Sequence, residues 1–490
     1  MLFYTIKKFD FSKQQIACQL IFNPISGTQP VVIQLPAWTP GSYTMRNFSS
    51  KMLSINAFDD EYNKPLGIEK LDLHCWVVRG TPSRIRIEYT LLANDQSYRG
   101  LFLDAKRALL ELAACCLLPE GMHQHRCVIQ ISPQSVKESV FEKKKSLFTT
   151  LPCTQSKSNG FGTFESINYQ TLIDNPIVVG ELKYYQSQVN SVKHQFVVCG
   201  NVVLRKHFIK QINNICQTVM RQFGCVPFPH YAFIIFITDT GHGGLEHSAC
   251  ASIQLPSKAF ESKFYNPRAS ITTSVLSLFA HEYIHAWIVK RVTNYKTNTT
   301  SLISPIPTTN LWFFEGFTHY YDILVLVRAG VISKDRFLIL FAKELKKYSD
   351  CKALSWQSPS EASFDSWIRY YHPHSLSVLY DSSYYLSGMV VAFCLDTHVR
   401  ECFDKSSLDQ FIKHLAIHKS QINETEIYDH ITNFFDLTTA RLIQKLTQSR
   451  GVINISKSLD QIGLVASNQK GSFQLKIKNT NKLHNWIRVT

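Results

Sequence analysis

The chain has 490 residues, of which 45% are hydrophobic and 12% aromatic, and its formal net charge is +15 at pH 7. This length exceeds what one hydrophobic core serves, so we expect about three domains. The apolar content excludes a disordered chain, and thirteen cysteines without a Cys-x-x-Cys pair are typical of reduced thiols in the cytoplasm.

The N-terminal residues predict neither a secretory signal nor a membrane anchor. Charged residues occur already at Lys7 and Lys8, and no apolar segment of signal-peptide length precedes them. No uncharged apolar run approaches the roughly 20 residues that span a bilayer. We therefore expect a cytoplasmic protein with no membrane partner.

The excess of basic residues is partly local. From Arg441 to the last residue there are nine basic residues and one acidic residue, Asp460. This region has no nucleic-acid recognition motif and no basic helix interleaved with aromatic residues. We expect a solvated basic surface rather than a nucleic-acid partner.

Residues 1–180 are predicted to form a β-rich domain. Alternating or β-branched runs of strand length occur at residues 30–36, 84–90 and 127–132, with Pro, Gly, Asn or Asp clusters between them. Helical periodicity is scarce here. A β-sandwich or a saddle-like sheet is the simplest architecture, and the turn residues around Asp174 mark its end.

The next region, residues 181–400, mixes helix and strand patterns. Residues 201–224 have apolar side chains near helical spacing and end at a glycine typical of a helix C-cap. Residues 231–238 predict a buried strand, followed by a glycine-rich turn at 241–247 and an edge strand at 251–255. Such an edge could pair with an extended peptide.

A His-Glu-x-x-His motif occupies residues 281–285, inside the apolar run of residues 271–290. Histidines at i and i+4 lie on one helix face, so the rings of His281 and His285 could reach a single zinc ion. Glu282 could then reach a water activated by the metal without being a ligand itself. The alternative is a buried helix with two hydrogen-bonded core histidines.

A second apolar helix is predicted to begin after Asn310, a good N-cap, and to continue to Val327. It is apolar nearly all round, so Glu315 within it should be buried. A buried carboxylate needs a partner. The partner could be an arginine or lysine in a salt bridge. It could also be a metal ion, because His281 and His285 supply only two ligands and a catalytic zinc ion usually has three from the protein.

The remaining residues predict mostly helices. Residues 382–396 indicate a helix that enters the core, and residues 401–450 indicate short amphipathic helices that form a C-terminal helical region. Residues 451–490 are polar, basic and β-like at 472–478, which is too short for a further sizeable domain. The sequence as a whole predicts a multidomain α+β fold.

Four stretches resemble the glycyl aminopeptidase family, a branch of the gluzincins related to aminopeptidase N. Residues 281–291 follow His-Glu-x-x-His-x-Trp-x-x-Lys-Arg, and residues 311–321 resemble the family's third-ligand helix with Glu315 in the ligand place. Residues 243–247 resemble Gly-Gly-x-Glu-His, and residues 385–388 lie where relatives have Tyr-x-Lys-Gly. Two segments of the first domain, 38–46 and 97–100, are also similar to the family.

This resemblance implies a thermolysin-like catalytic domain over residues 181–400 and a zinc-dependent aminopeptidase. Such an enzyme releases N-terminal glycine or other small residues from peptides with a free N-terminus. It would contain one Zn²⁺, which Co²⁺ or Mn²⁺ can replace.

The resemblance also implies a role for each residue of the site. His281, His285 and Glu315 would be the metal ligands, and Glu282 the general base that returns its proton to the leaving amine. Tyr385 would donate a hydrogen bond to the developing oxyanion. Glu246 would bind the α-amino group of the substrate. Gly243 and Gly244 would leave room for the peptide backbone.

The chain departs from the family pattern at three places. Ser387 replaces the usual lysine beside the tyrosine, and Ile288 lies where the zinc helix often has asparagine. The family commonly ends in a PDZ domain, and residues 451–490 fit only a missing or vestigial one. Two alternatives stay open: a thermolysin-type endopeptidase that cleaves N-blocked peptides, and a zinc-containing binding or scaffold protein that has lost turnover.

Overall fold

The structure is a computed structural model, and it describes residues 1–25, 30–80, 82–136, 145–261, 270–294, 302–403, 406–423, 425–469 and 472–489. A β-rich region comes first, a mixed α/β region follows, and helices dominate the C-terminal part. The predicted multidomain α+β fold is confirmed.

The N-terminal region is built from strands with one apolar face. In β1 the side chains of Leu2, Tyr4 and Ile6 are buried and those between them are only partly so, which is the alternation of a strand with one face in a core. Among the described residues, the region comprises one short α-helix, α1 Tyr169–Ile173, and the following strands: β1 Leu2–Asp10, β2 Gln15–Phe22, β3 Val31–Gln34, β4 Met52–Asp59, β5 Lys64–Leu66, β6 Ile68–Lys70, β7 Cys75–Val78, β8 Ile85–Leu92, β9 Leu101–Leu103, β10 Ala108–Leu110, β11 Leu118–Pro119, β12 Cys127–Ile131, β13 Ser146–Thr149, β14 Cys153–Ser156, β15 Gly162–Ser166 and β16 Ile177–Gly180.

Three sheets are formed by these strands among the described residues. The largest has the order β14-β15-β12-β1-β2-β8-β4-β5, and two smaller ones have the orders β13-β16-β10-β9 and β11-β3-β7-β6. β1 is parallel to β12 and antiparallel to β2. The predicted strands at 30–36, 84–90 and 127–132 correspond to β3, β8 and β12.

The middle region has one mixed sheet with the order β17-β18-β19-β21-β20. Its elements are β17 Leu182–Val189, β18 Val192–Cys199, α2 Lys206–Phe223, β19 His230–Thr238, β20 Gly243–Glu246, β21 Cys250–Pro256, α3 Ser270–Ile284 and β22 Thr293–Asn294. The glycine predicted to end the first helix, Gly224, lies at the C-cap with a φ of 56°.

The prediction of the sheet edge was wrong. Residues 251–255 lie in β21, which is internal, and the glycine-rich segment predicted as a turn contains the edge strand β20. β20 pairs antiparallel with β21, with Gly243 opposite Gln254 and Glu246 opposite Ala251. Glycine weakens a strand on its own, so the pairing with β21 and not local propensity makes this segment extended.

The C-terminal part is mainly helical. Its elements are α4 Leu311–Arg328, α5 Lys334–Ser349, α6 Pro359–Phe364, α7 Ser377–Tyr380, α8 Tyr384–Cys402, α9 Leu408–Ile417, β23 Gln421–Ile422, α10 Glu426–Phe434, α11 Leu437–Gln448, α12 Ser456–Gln461, β24 Leu464–Gln469, β25 Ser472–Ile477 and α13 Thr480–Ile487. α4 begins after Asn310 as predicted. The Asn310 side chain does not cap the helix and instead donates to the carbonyl of Asn423 at 2.6 Å.

Two glycines set the distance between α4 and α8. A Cβ at Gly388 would collide with the carbonyl of Trp312, and a Cβ at Gly316 would collide with the backbone of Gly388. The two helices therefore pack backbone to backbone at this point. As a result Tyr385, one turn before Gly388, lies close to Glu315, one residue before Gly316.

The last residues pack against the helical region. The indole Nε1 of Trp486 donates to Asp396 Oδ2 at 3.0 Å and to the hydroxyl of Tyr320 at 3.1 Å, and Arg328 Nε donates to the carbonyl of Ile487 at 3.0 Å. Trp486 is only 2% exposed. The basic composition of residues 451–490 does not reveal this packing.

One described helical stretch, Ser377–Cys402, is long and apolar enough to cross a membrane by those two criteria alone. Most of its apolar window, 61%, is buried inside the protein. Because core helices of soluble proteins meet the same criteria, the stretch is weak evidence for a membrane span.

Candidate active site

The three predicted metal ligands lie together at the crossing of α3 and α4. The Nε2 atoms of His281 and His285 are each 3.4 Å from Oε2 of Glu315. One ligand atom from each residue lies within 4.8 Å of the others, which is close enough for all three to hold one metal ion. His281 lies in the last turn of α3 and His285 directly follows the helix, and their i, i+4 spacing brings the two rings to a centroid distance of 4.6 Å.

The outer nitrogen of each histidine is also engaged. His281 Nδ1 lies 3.0 Å from Oδ2 of Asp322, and His285 Nδ1 lies 3.2 Å from the carbonyl of Ile288. Ser277 donates to the other oxygen of Asp322 at 3.0 Å. Such outer partners fix the ring orientation and leave each Nε2 free to bind a metal.

The salt-bridge explanation for Glu315 does not hold in the described part of the chain. No described arginine or lysine pairs with Glu315, and its partners are the two histidines. Burial opposes ionisation of this carboxyl, but the neighbouring His285 and His281 outweigh it and hold the pKa of Glu315 well below its ordinary range. Glu315 thus presents an anionic oxygen that could bind a metal ion.

Glu282 lies beside this group, and one of its two carboxyl oxygens has no partner among the described residues. Its Oε2 is buried and has no hydrogen bond in the described structure. Burial raises the pKa of Glu282 to about 7, against the opposing charges of His281 and His285. A carboxylate with this pKa can accept a proton and release it again near neutral pH.

The two glycines of β20 leave room for other side chains of the protein. A Cβ at Gly244 would collide with the carboxylate of Glu282, and a Cβ at Gly243 would collide with the hydroxyl of Tyr98. The glycines were predicted to admit a peptide backbone, and both do line the cavity. Their more direct effect is to let Glu282 and Tyr98 approach the edge strand.

Glu246, at the end of β20, is 3% exposed, and its Oε1 is buried with no hydrogen-bond partner in the described structure. It faces Gly41 of the N-terminal region. A Cβ at Gly41 would collide with the Glu246 carboxylate, and the φ of +92° at Gly41 also favours glycine. A buried carboxylate with a free oxygen can bind a cation in this cavity.

Tyr385, at the start of α8, lines the same cavity as the predicted metal ligands. Its ring is stacked 6.1 Å from that of His281, and its hydroxyl lies 3.4 Å from that of Tyr371. Burial, reinforced by the nearby charge of Glu315, raises the pKa of Tyr385 well above its ordinary value. The hydroxyl therefore stays protonated and can donate a hydrogen bond.

All the residues predicted for the site line one cavity of about 530 Å³. They are Gly243, Gly244, Glu246, His281, Glu282, His285, Glu315 and Tyr385. The cavity lies between the edge strand β20, the helices α3, α4, α5 and α8, and two loops of the N-terminal region. A pocket of this size suits a short peptide.

Two sequence models of one peptidase family match the chain. The Peptidase M61 N-terminal domain matches residues 3–181, and the M61 glycyl aminopeptidase model matches residues 274–391. Together they span more than half of the chain. The chain belongs to the M61 peptidase family. The resemblance stated from the motifs is therefore confirmed, and the protein is a metallopeptidase.

Solved structures have the same fold as this M61 protein. The crystal structure of an aminopeptidase N family protein from Idiomarina loihiensis is similar over 96% of this chain and 79% of that chain, with a TM-score of 0.89 and 24% identity. The M1 zinc metallopeptidase from Deinococcus radiodurans is similar over 92% of this chain and 94% of that chain, with a TM-score of 0.57 and 12% identity. A mutant of the latter, bound to a Tyr-Ser-Ala substrate, aligns equally well. The search of curated proteins found no significant match.

Several residues of the M61 site were not predicted. Asp322 lies seven residues after Glu315, two turns along one face of an apolar helix, and this spacing could have revealed it. Gly41, Tyr98 and Arg99 also line the cavity. Their segments were noted as similar to the family, but only the tertiary structure brings them to the edge strand.

Proposed function

We propose that this M61 protein is a zinc-dependent aminopeptidase that releases N-terminal glycine or other small residues from peptides. The observation that carries the proposal is the position of Glu246, a buried carboxylate with an unpartnered oxygen, in the same cavity as the His281, His285 and Glu315 group. A site that pairs a metal centre with a fixed anion suits a substrate with a free α-amino group.

The donor set fits zinc. Two imidazole nitrogens and one carboxylate oxygen are a common catalytic combination for this ion, and the outer nitrogens are already hydrogen-bonded to Asp322 and Ile288. His281, His285 and Glu315 would hold the ion. When bound, zinc polarises a carbonyl oxygen and lowers the pKa of water.

Two residues of the chain would move or donate protons. Glu282 would accept the proton of the attacking water and return it to the leaving amine, since its carboxyl lies beside the predicted ligands with one oxygen unpartnered among the described residues. The protonated hydroxyl of Tyr385 would donate to the carbonyl oxygen as negative charge develops there. Tyr371, whose hydroxyl is 3.4 Å away, helps to orient this donor.

The amino end of the substrate would lie against the N-terminal region. Glu246 would pair with the α-ammonium group, and the Gly41 loop, Tyr98 and Arg99 would surround the first residue. The guanidinium group of Arg99 lies 4.4 Å from the centre of the Tyr98 ring, a cation–π contact between two residues of this wall. The match to the M61 glycyl aminopeptidase model supports a preference for glycine or other small first residues.

The proposal is tested by assaying glycyl, alanyl and leucyl amides with purified protein. The glycyl and alanyl amides should be cleaved faster than the leucyl amide. A chelator should abolish the activity, and added zinc should restore it. Glu282→Gln should abolish turnover and Glu246→Gln should selectively raise KM for substrates with a free amine. Equal cleavage of N-acetylated peptides would instead identify an endopeptidase, and metal binding without any turnover would identify a binding or scaffold protein.

We also propose a cytoplasmic location. Cys18 and Cys115 lie 3.6 Å apart as free thiols in the core, a proximity that is compatible with a reducing compartment. Fractionation of cells that produce the tagged protein would test this.

A further inference from the structure

The cavity has two ends of opposite charge. Near the predicted metal ligands the lining carboxylates, including Glu246, Glu282 and Glu315, outnumber the cation Arg99. The part lined by α5 carries three cations, Arg336, Lys343 and Lys347, and one carboxylate, Glu344. Charges of opposite sign at the two ends of a cleft favour a ligand with the complementary pattern.

The α5 cations face the cavity because of their spacing. Positions 336, 340, 343 and 347 are separated by four, three and four residues, so they lie on one face of the helix. Leu340 and the neighbouring Ile339 also line the cavity. α5 thus offers an apolar strip flanked by cations to whatever occupies the cleft.

Only part of this positive charge is neutralised within the protein. Lys347 lies 2.7 Å from Glu344, whose other oxygen is 3.8 Å from His319 Nε2. Arg336 and Lys343 form no ion pair with any residue that the structure describes. The Nε of Arg336 is buried and lacks a hydrogen-bond partner there. A buried guanidinium nitrogen with no partner is costly unless an anion binds it.

The cationic end lies beyond the metal ligands as seen from Glu246. β20, which carries Glu246, packs against α3, whereas α5 packs against α4. His281 of α3 contacts Asp322 of α4, Asp322 lies 3.1 Å from His319 of the same helix, and His319 in turn lies 3.8 Å from Glu344 of α5. A peptide whose amine meets Glu246 and whose scissile carbonyl meets the ligands would therefore extend its remaining residues towards α5.

We infer that Arg336 and Lys343 form a subsite for a carboxylate on the C-terminal side of the cleaved bond. The inference rests on the proposed aminopeptidase function, and it deepens it by naming the substrate class: short peptides with a positive amino end and a negative group a few residues later. The carboxylate is either the free C-terminus of a short peptide or an acidic side chain. An arginine with a neighbouring lysine suits both.

The first test compares matched peptides that differ only in the terminal group. Peptides with glycine followed by one to four alanines are assayed as free acids and as C-terminal amides. At one or more lengths the free acid should have a kcat/KM about tenfold higher than the amide. The ratio should fall towards one in Arg336→Gln, in Lys343→Gln and most fully in the double variant.

A matched control is available on the same helix. Lys346 pairs with Asp350 at 2.8 Å and does not line the cavity, so Lys346→Gln removes the same charge from α5 at a different face. It should keep the acid-to-amide ratio of the parent protein. Should the double variant be unfolded by circular dichroism, Lys343→Gln alone decides, because Lys343 is an exposed residue.

The source of the carboxylate is separated by a second peptide series. Amidated peptides carry aspartate or asparagine at the second, third or fourth position. If the enzyme distinguishes aspartate from asparagine but not the free acid from the amide, the ligand is an acidic side chain. If it distinguishes only the free acid from the amide, the ligand is the free C-terminus. If neither series shows a preference, or if the preference survives in the double variant, the subsite is refuted.

Binding separates failure of this inference from failure of the proposed function. In Glu282→Gln, calorimetric affinities for the acid and amide peptides are measured without turnover. If the acid peptides bind more tightly than the amides but the parent protein hydrolyses neither, the proposed aminopeptidase function is refuted and the carboxylate subsite is supported. If the parent protein hydrolyses acids and amides and the two forms bind with equal affinity, the aminopeptidase function is supported and the carboxylate subsite is refuted.

Discussion

His281 Nδ1 lies 3.0 Å from Oδ2 of Asp322, on the ring edge opposite the Nε2 that faces Glu315. The carboxylate therefore both orients the ring and makes the Nε2 that faces Glu315 more basic. Asp322 can do this because Ser277 donates to its second oxygen at 3.0 Å. The group predicted to bind the metal is thus supported by a carboxylate on the far side of the His281 ring.

Asp322→Asn should weaken metal binding. The amide can still fill the space, but it loses the negative charge that supports His281, and such outer partners usually account for about 10-fold to 100-fold in metal affinity. The measurement is a competition titration with a chelator on the purified variant. His319→Gln is the control, since it removes the other histidine partner of Asp322 and leaves the His281 contact. Unchanged affinity in Asp322→Asn would contradict the role.

Gly41→Ala should reduce cleavage of substrates with a free N-terminus by about tenfold or more. A methyl group at this position would collide with the Glu246 carboxylate and displace it from the amine. The measurement is kcat/KM on glycyl and alanyl amides.

The control for this variant is Gly451→Ala. Gly451 has a similar φ of +104°, but no atom lies within 4 Å of an added Cβ. This variant has the same backbone strain without the collision, so its kcat/KM should match that of the parent protein. Equal loss in both variants would show that strain at a loop and not displacement of Glu246 explains the effect.

The local sequence pattern predicts the helices α3 and α4, which carry the site. It predicts the edge strand beside them less well. The i, i+4 histidines and the buried Glu315 follow from the periodicity of α3 and α4, which acts over a few residues. Glu246 lies on an edge strand that its glycines do not predict, because β20 is extended only through pairing with β21.

The N-terminal contribution to the site could not be predicted from local pattern at all. Gly41 and Arg99 reach the cavity from loops far away in the chain, and nothing in their own segments specifies which surface they meet. Asp322 differs from these residues, because its spacing from Glu315 on one face of α4 is a local signal. Only the tertiary structure shows that its partners include His281 and Ser277 of α3.

Tyr385→Phe should lower kcat by about 100-fold with little change in metal content. The phenyl ring can keep the stacking on His281, so the variant removes only the hydroxyl donor. The measurement is kcat for a glycyl amide together with the zinc content of the protein.

Tyr370→Phe is the matched control for the hydroxyl. Its ring is stacked 5.7 Å from that of Tyr385, and Tyr370 does not line the cavity. It should retain most of the activity. If Tyr385→Phe were as active as Tyr370→Phe, another group would have to stabilise the oxyanion.

His247→Gln should change stability in a pH-dependent way. The His247 ring is buried between two carboxylates of the N-terminal region: its Nε2 is 3.7 Å from Glu111 Oε1 and its Nδ1 is 3.5 Å from Asp174 Oδ1. Burial opposes protonation, but Glu111 and Asp174 outweigh it and raise the pKa of His247 to about 9. The protonated imidazole therefore joins the N-terminal region to the end of the edge strand.

The direction of the pH dependence follows from the raised pKa. The unfolded chain titrates near pH ~6.5, so the stabilisation by protonated His247 is complete below that pH and is lost as the pH rises through about 9. Its full size is on the order of 3 kcal/mol. The difference in unfolding midpoint between the parent protein and His247→Gln should therefore be largest near pH 6 and smallest near pH 10. The control is His418→Gln, which changes an exposed histidine and should have the unfolding midpoint of the parent protein at every pH. If the difference between the parent protein and His247→Gln instead grew with pH, the charge state assigned to His247 would be wrong.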